Sequence, residues 1–149
     1  MTSTGMANNQ RPKSDSNTSA KIIAFYRGRV LLLKNKDKTY ELPGGHIKIG
    51  EPTIVGAKRE FKEETGLDVT RLKSLINTPT RKIYTGFLAI NRVTISKEHI
   101  GFIFVPLNKL KKYNLNIKAK SDLRLFLNKR EKLKNNDELS DILPDSTGS

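Results

Sequence analysis

The chain has no cysteine, which excludes a disulfide framework, a thiolate metal site and a cysteine nucleophile. It also lacks any apolar run near the roughly 20 residues that a membrane-spanning helix needs. Its first twenty residues, MTSTGMANNQRPKSDSNTSA, hold no apolar centre and no amphipathic face, so they read as neither a secretory signal nor an organelle presequence. A cytoplasmic protein with no membrane partner is expected. No internal repeat is visible. Aromatic residues are 7% of the chain and do not interleave with the lysines, as they do in proteins that bind single-stranded nucleic acid.

What is present is one domain's worth of chain, 149 residues with a net charge of +13, enough for a single proper core. All 28 lysines and arginines lie at or before Lys134, whereas Asp137, Glu138, Asp141 and Asp145 leave the tail purely acidic. Residues 1–134 therefore carry 28 basic against 11 acidic groups, a charge of +17. Such a body attracts phosphates. A solvated lysine-rich surface, part of it the codon usage of an AT-rich gene, accounts for this as well as a nucleic-acid groove does.

The pattern along the chain predicts a disordered polar arm over 1–20, a folded domain over 21–135 and an acidic tail over 136–149 with a short helix at 136–143. KIIAFY (21–26) and RVLLLK (29–34) read as strands joined by the Arg27-Gly28 hairpin turn. Further strands are expected at 72–77, 82–90, 92–95, 101–107 and 122–127, with a short helix at 128–133. YELPGGHIKIGEPT (40–53) holds only short extended pieces. Residues 53–65 form the one clear helix of the first half, capped by Thr53 and ended by Gly66. Strands with helices entering late predict an α/β (α+β) sandwich on a mixed sheet.

That helix gathers negative charge in a basic protein. At helical spacing Ile54, Ala57 and Phe61 form an apolar stripe, with Glu60, Glu63 and Glu64 beside it. Three carboxylates at such spacings repel. Arg59 offsets part of this, and a divalent cation would offset the rest. Carboxylate oxygens with no thiol or imidazole nearby favour Mg²⁺ or Mn²⁺ over zinc. The preceding glycines let the backbone approach an ion or phosphate closely. A glycine loop beside a carboxylate helix suits phosphoryl chemistry, in which a carboxylate activates water for attack at phosphorus.

From Gly45 the spacing runs through Glu51 to Arg59, Glu60, Phe61, Glu63, Glu64, Gly66 and Leu67. This stretch resembles the Nudix box of the Nudix hydrolases (MutT-like proteins) at every fixed position, and residues 21 to 135 resemble the domain more loosely. The resemblance implies a Nudix-type α/β/α sandwich around a mixed sheet. It also implies an enzyme that cleaves, with Mg²⁺ or Mn²⁺, a pyrophosphate bond in a nucleoside diphosphate linked to another group. Carried over residue by residue, Glu60, Glu63 and Glu64 are metal ligands and Gly45 lends its carbonyl. Arg59 orients the glutamates and Glu51 supports them, while Pro43 and Gly44 shape the loop. The base is Glu60 or a downstream carboxylate, for which Glu98 and Asp122 (at the start of the last strand) are candidates. Tyr84, seventeen residues past Leu67, stands where some dinucleoside polyphosphate hydrolases carry a tyrosine. The proline marking some ADP-ribose hydrolases is replaced by Lys82. His99, a lone loop histidine, is set aside as incidental and His46 has no role. A small nucleotide is the expected partner, acting on a monomer or homodimer. RNA 5′ ends stay open as substrate, as does an inactive binding module.

Overall fold

The computed structural model describes residues 15–135, and the predicted tail helix lies outside them. Seven strands form one mixed sheet: β1 (Asp15–Tyr26), β2 (Arg29–Asn35), β3 (Tyr40–Glu41), β4 (Gly44–Lys48), β5 (Thr70–Asn77), β6 (Arg81–Phe87) and β7 (His99–Pro106). Helix α1 spans Thr53–Thr65, and α2 spans Ile117–Lys134 after a 3₁₀ turn at Leu107–Lys112.

Strand β1 is the axis. It pairs in parallel with β6 (Ser19 to Phe25 against Arg81 to Phe87) and antiparallel with β2 and β4. The β1–β2 turn places both Arg27 (φ 49°) and Gly28 (φ 79°) in the left-handed region, as a two-residue hairpin matched to strand twist requires. Strand β7 adds to β2, and β5 adds to β6.

Because side chains alternate along a strand, the sheet has two apolar faces. Ala20, Ile22, Ala24, Leu31 and Leu33 pack against Ala57 and Phe61 of α1. Ile23, Phe25, Val30 and Leu32 pack against Ala119, Leu123 and Phe126 of α2. The sheet is thus covered on both faces by helices, as the sandwich predicted. Fully buried Phe61 contributes about 1.5–3 kcal/mol through area removed from water.

Four expectations are corrected. Residues 15–20, assigned to the disordered arm, belong to β1. Their polar side chains hid the strand, but backbone pairing with β4 holds it, and Asn17 and Ser19 are polar because they line a cavity. Residues 92–95 are not a strand. Val93 and Ile95 pack on the α1-side core, and the Thr94 amide donates to the Thr65 carbonyl at 2.8 Å, wrapping the end of α1. Residues 122–127 are helical, not extended. The missed signal is Asn116, whose side chain accepts from the Ala119 amide and caps α2, in the manner of N-cap asparagines. Finally, Thr53 does not cap α1; it is the first helical residue after Pro52.

Candidate active site

Helix α1 is rolled towards its acidic side relative to the stripe read from sequence. Ile54 is 42% exposed, whereas Gly56, Ala57, Phe61, Glu64 and Thr65 are buried. The cause is Gly56: a Cβ there would lie 2.6 Å from Ile47 Cδ1 of β4. A larger residue there would displace the ends of the Ile47 and Glu51 side chains, and the roll that glycine allows carries Glu64 into the core-facing side.

Glu64 meets the glycine segment directly. The Gly44 amide donates to Glu64 Oε1 at 2.8 Å. Burial pushes the Glu64 carboxyl up to about 7, against the opposing pull of the Gly44 amide, Lys21 and His99. One position on, a Cβ at Gly45 would lie 2.3 Å from Glu60 Oε1, so the missing side chain is the space that Glu60 occupies. Gly44 itself has φ 142°, and a Cβ there would meet the Ala20 carbonyl at 2.1 Å.

Arg59 binds the remaining acids of the box. Its Nε and Nη2 donate to the two oxygens of Glu51 at 2.8 and 3.1 Å, and Nη1 donates to Glu60 (3.0 Å) and to Glu63 (3.2 and 3.3 Å). Those Arg59 bonds hold the Glu51 carboxyl down at about 2. The repulsion expected on α1 is therefore divided: Arg59 offsets Glu51, Glu60 and Glu63, and Glu64 is left to burial and the Gly44 amide.

Four of these groups, Gly44, Gly45, Glu60 and Glu64, line a cavity of about 1070 Å³. Glu98, Arg81, Asn116, Lys118 and Asp122 line it as well. Glu63 and Glu51 are not on its wall; Glu63 keeps 58% of its side chain exposed. Asp122 does reach the wall, but from helix α2 and as the buried partner of Arg81 in an ion pair. Tyr84 is not a wall residue. Its ring packs in the α1-side core and its hydroxyl lies 2.9 Å from Thr53 Oγ1.

The sequence reading missed Glu41 and undervalued His99. His99 Nε2 lies 2.7 Å from Glu41 Oε2, and the Asn116 amide group donates to Glu41 Oε1 at 3.3 Å. The Glu41 bond, reinforced by Glu64 and Glu98, raises the His99 imidazole against the opposing effect of burial. Burial pushes Glu41 the other way from its His99 and Lys21 partners, which prevail and lower it. An imidazole nitrogen of His99 and one carboxylate oxygen each from Glu64 and Glu98 lie within 4.8 Å of one another. In the sequence these residues are scattered; strand pairing of β2 with both β3 and β7 brings Glu41 and His99 together. Among the described residues no helix is long and apolar enough to cross a membrane.

The chain is 32% identical over 139 residues to YtkD of Bacillus subtilis, provisionally named an 8-oxo-dGTP diphosphatase, covering 91% of this chain and 78% of that one. A solved structure described as a Nudix hydrolase family member from Chromobacterium violaceum superposes with a TM-score of 0.64 at 25% identity, over 80% of this chain and 81% of the other. The fold is shared with an ADP-ribose pyrophosphatase of Streptococcus suis (TM-score 0.59, 22% identity, covering 72% and 87%). Residues 16–131 match the NUDIX domain family, and the chain belongs to the Nudix hydrolases, MutT-like enzymes.

Proposed function

We propose that this enzyme hydrolyses a pyrophosphate bond of a small nucleoside polyphosphate, with Mg²⁺ or Mn²⁺ held by the Gly45 carbonyl, Glu60 and Glu64, and Glu63 contributing from the rim. The observation that carries this reading is the pairing of Glu64 with Gly44 and of Glu60 with the space at Gly45, on the wall of a polar cavity. The donor set fits such an ion, being oxygen-rich and partly buried. Bound there, the cation would neutralise the diphosphate and polarise the attacking water.

The chain's own groups supply the rest. Arg59 fixes Glu60 and Glu63 in place, and Glu51 fixes Arg59. Lys21, whose Nζ donates to the Gly44 carbonyl at 3.2 Å, is a cation on the wall for phosphate oxygens. Glu98 is exposed on the same wall and is not a partner of Arg59; we assign it the proton of the water that attacks phosphorus. The new P–O bond forms as the anhydride P–O bond breaks, leaving a phosphate on each product. Arg81, Asn116, Lys118 and Asp122 offer both donors and acceptors to the nucleoside end. The name carried by the Bacillus relative supports a nucleoside triphosphate as the substrate.

The test is a panel of nucleoside triphosphates (including oxidised purines), nucleotide sugars, dinucleoside polyphosphates and 5′-triphosphorylated RNA, with products identified by mass. Turnover of a triphosphate to monophosphate and pyrophosphate supports the reading. Turnover confined to nucleotide sugars or RNA overturns it.

A further inference from the structure

We propose that His99 is a nitrogen ligand for a divalent transition-metal ion, shared with Glu64 and Glu98 and oriented by Glu41, so that this part of the site prefers Mn²⁺ or Co²⁺ to Mg²⁺. The inference rests on the proposed metal-dependent activity and extends it to a residue outside the acidic helix.

Three observations carry it. His99 is 5% exposed, and its Nδ1 is buried with no hydrogen-bond partner among the described residues. A buried polar atom without a partner is costly, so an unpartnered ring nitrogen at this place calls for a ligand. The second is the grouping of an imidazole nitrogen with oxygens of Glu64 and Glu98 inside 4.8 Å. The third is Glu41, which takes Nε2 at 2.7 Å. A carboxylate on one ring nitrogen fixes the tautomer and leaves the other nitrogen free to bind metal, an arrangement found at most metal-bound histidines.

Glu41 is itself held, by the Asn116 side chain at 3.3 Å and by Lys21 at 4.0 Å. The imidazole orientation is thus built from α2, β1 and β3 together. Glu98 lends one carboxylate oxygen and keeps the other for the proton of water. Mn²⁺ and Co²⁺ accept an imidazole nitrogen beside carboxylate oxygens more readily than Mg²⁺, which takes oxygen almost alone.

The full chain loaded with Mn²⁺ is measured by pulsed electron paramagnetic resonance. The expected result is ¹⁴N modulation from a directly bound imidazole, converted to the ¹⁵N pattern by ¹⁵N-histidine labelling. It should be lost in His99→Gln and kept in His46→Gln. Calorimetric titration of Glu41→Gln should show Mn²⁺ affinity lowered about tenfold or more, with Mg²⁺ affinity changed less. Wild-type spectra without histidine nitrogen overturn the inference, and this measurement needs no variant to fold. If Mn²⁺ binding depends on Glu64 yet shows no nitrogen, the inference fails while the active-site reading stands. If Mn²⁺ binding is indifferent to Glu60→Gln and Glu64→Gln, the active-site reading fails with it.

Discussion

Arg59 and Glu51, eight positions apart, meet through two parallel hydrogen bonds of 2.8 and 3.1 Å. Two-pronged arginine–carboxylate pairs are the strong, directional kind. This one joins the turn before α1 to its middle, so the glutamates it holds are set before any substrate arrives.

The Arg59 pair makes Glu51 a reporter of acid stability. Its folded carboxyl sits at about 2 against an ordinary 4.5. A lowered value stabilises the fold above the unfolded value, and that stability is lost as pH falls from about 4.5 through about 2. Glu51→Gln should therefore lower stability at pH 7 by up to about 2 kcal/mol for a partly solvated pair. The deficit should close as pH approaches 2. Unfolding curves of both proteins across pH 2–7 check this; a gap independent of pH refutes it.

Glu64 runs with the opposite sign. Its folded value is raised to about 7, so in chelator the metal-free protein loses stability as pH climbs from about 4.5 to 7, and the loss is constant above. Glu64→Gln keeps an oxygen for the Gly44 amide without the charge. It should melt higher than metal-free wild type at pH 8 and equally at pH 4. Its turnover should fall about a hundredfold or more, since an electrostatic centre of the reaction is removed. A metal-free variant less stable than wild type at pH 8 contradicts the prediction.

Two adjacent glycines should respond differently to alanine. At Gly44 the new methyl meets β1 backbone and the φ of 142° is strained. Gly44→Ala should cost stability, about 3 kcal/mol or more. At Gly45 the nearest atoms all belong to the Glu60 side chain, which can swing aside by giving up its bond to Arg59. Gly45→Ala should fold with near wild-type stability and lose activity instead. Thermal melts set beside kcat separate the two.

Salt distinguishes a purpose for the +17 body from plain solvation. Each phosphate neutralised releases counterions, so RNA cleavage that uses the basic surface should fall steeply as salt rises. We expect a free triphosphate to be cleaved at least as fast as a long 5′-triphosphorylated RNA, with a shallow salt dependence for both. A steep slope confined to RNA reverses this.

The box was legible because its chemistry sits in one local run: Gly45, Glu51, Arg59, Glu60 and Glu64 are spaced by a turn and a helix. The sandwich was legible from apolar strands such as 21–26 and 29–34. Polar structure was not. Residues 15–20 fold as a strand through backbone pairing and carry no apolar period to reveal it. DLRLFL fits both a strand's alternation and a helix's spacing, and only the Asn116 cap upstream decides. Glu41 and His99 are 58 positions apart, and no one-dimensional spacing joins residues that the sheet alone makes neighbours. Ile54 failed as a core residue because the missing side chain of Gly56, on another face, set the helix's roll.

The pairing of Ala20 and Lys21 with Gly45 and Gly44 makes the glycine segment a rung of the sheet ladder. A free glycine loop would lose conformational entropy each time it closed on a substrate; this one has already lost it in folding. Its flexibility is therefore that of the central strand. The Gly45 amide should exchange with solvent on openings that part β1 from β4, and the Gly44 amide on openings that break its bond to Glu64 and lift α1 from the segment. Any rearrangement that accompanies binding is then expected around the segment, where Glu98 is exposed, and not within it.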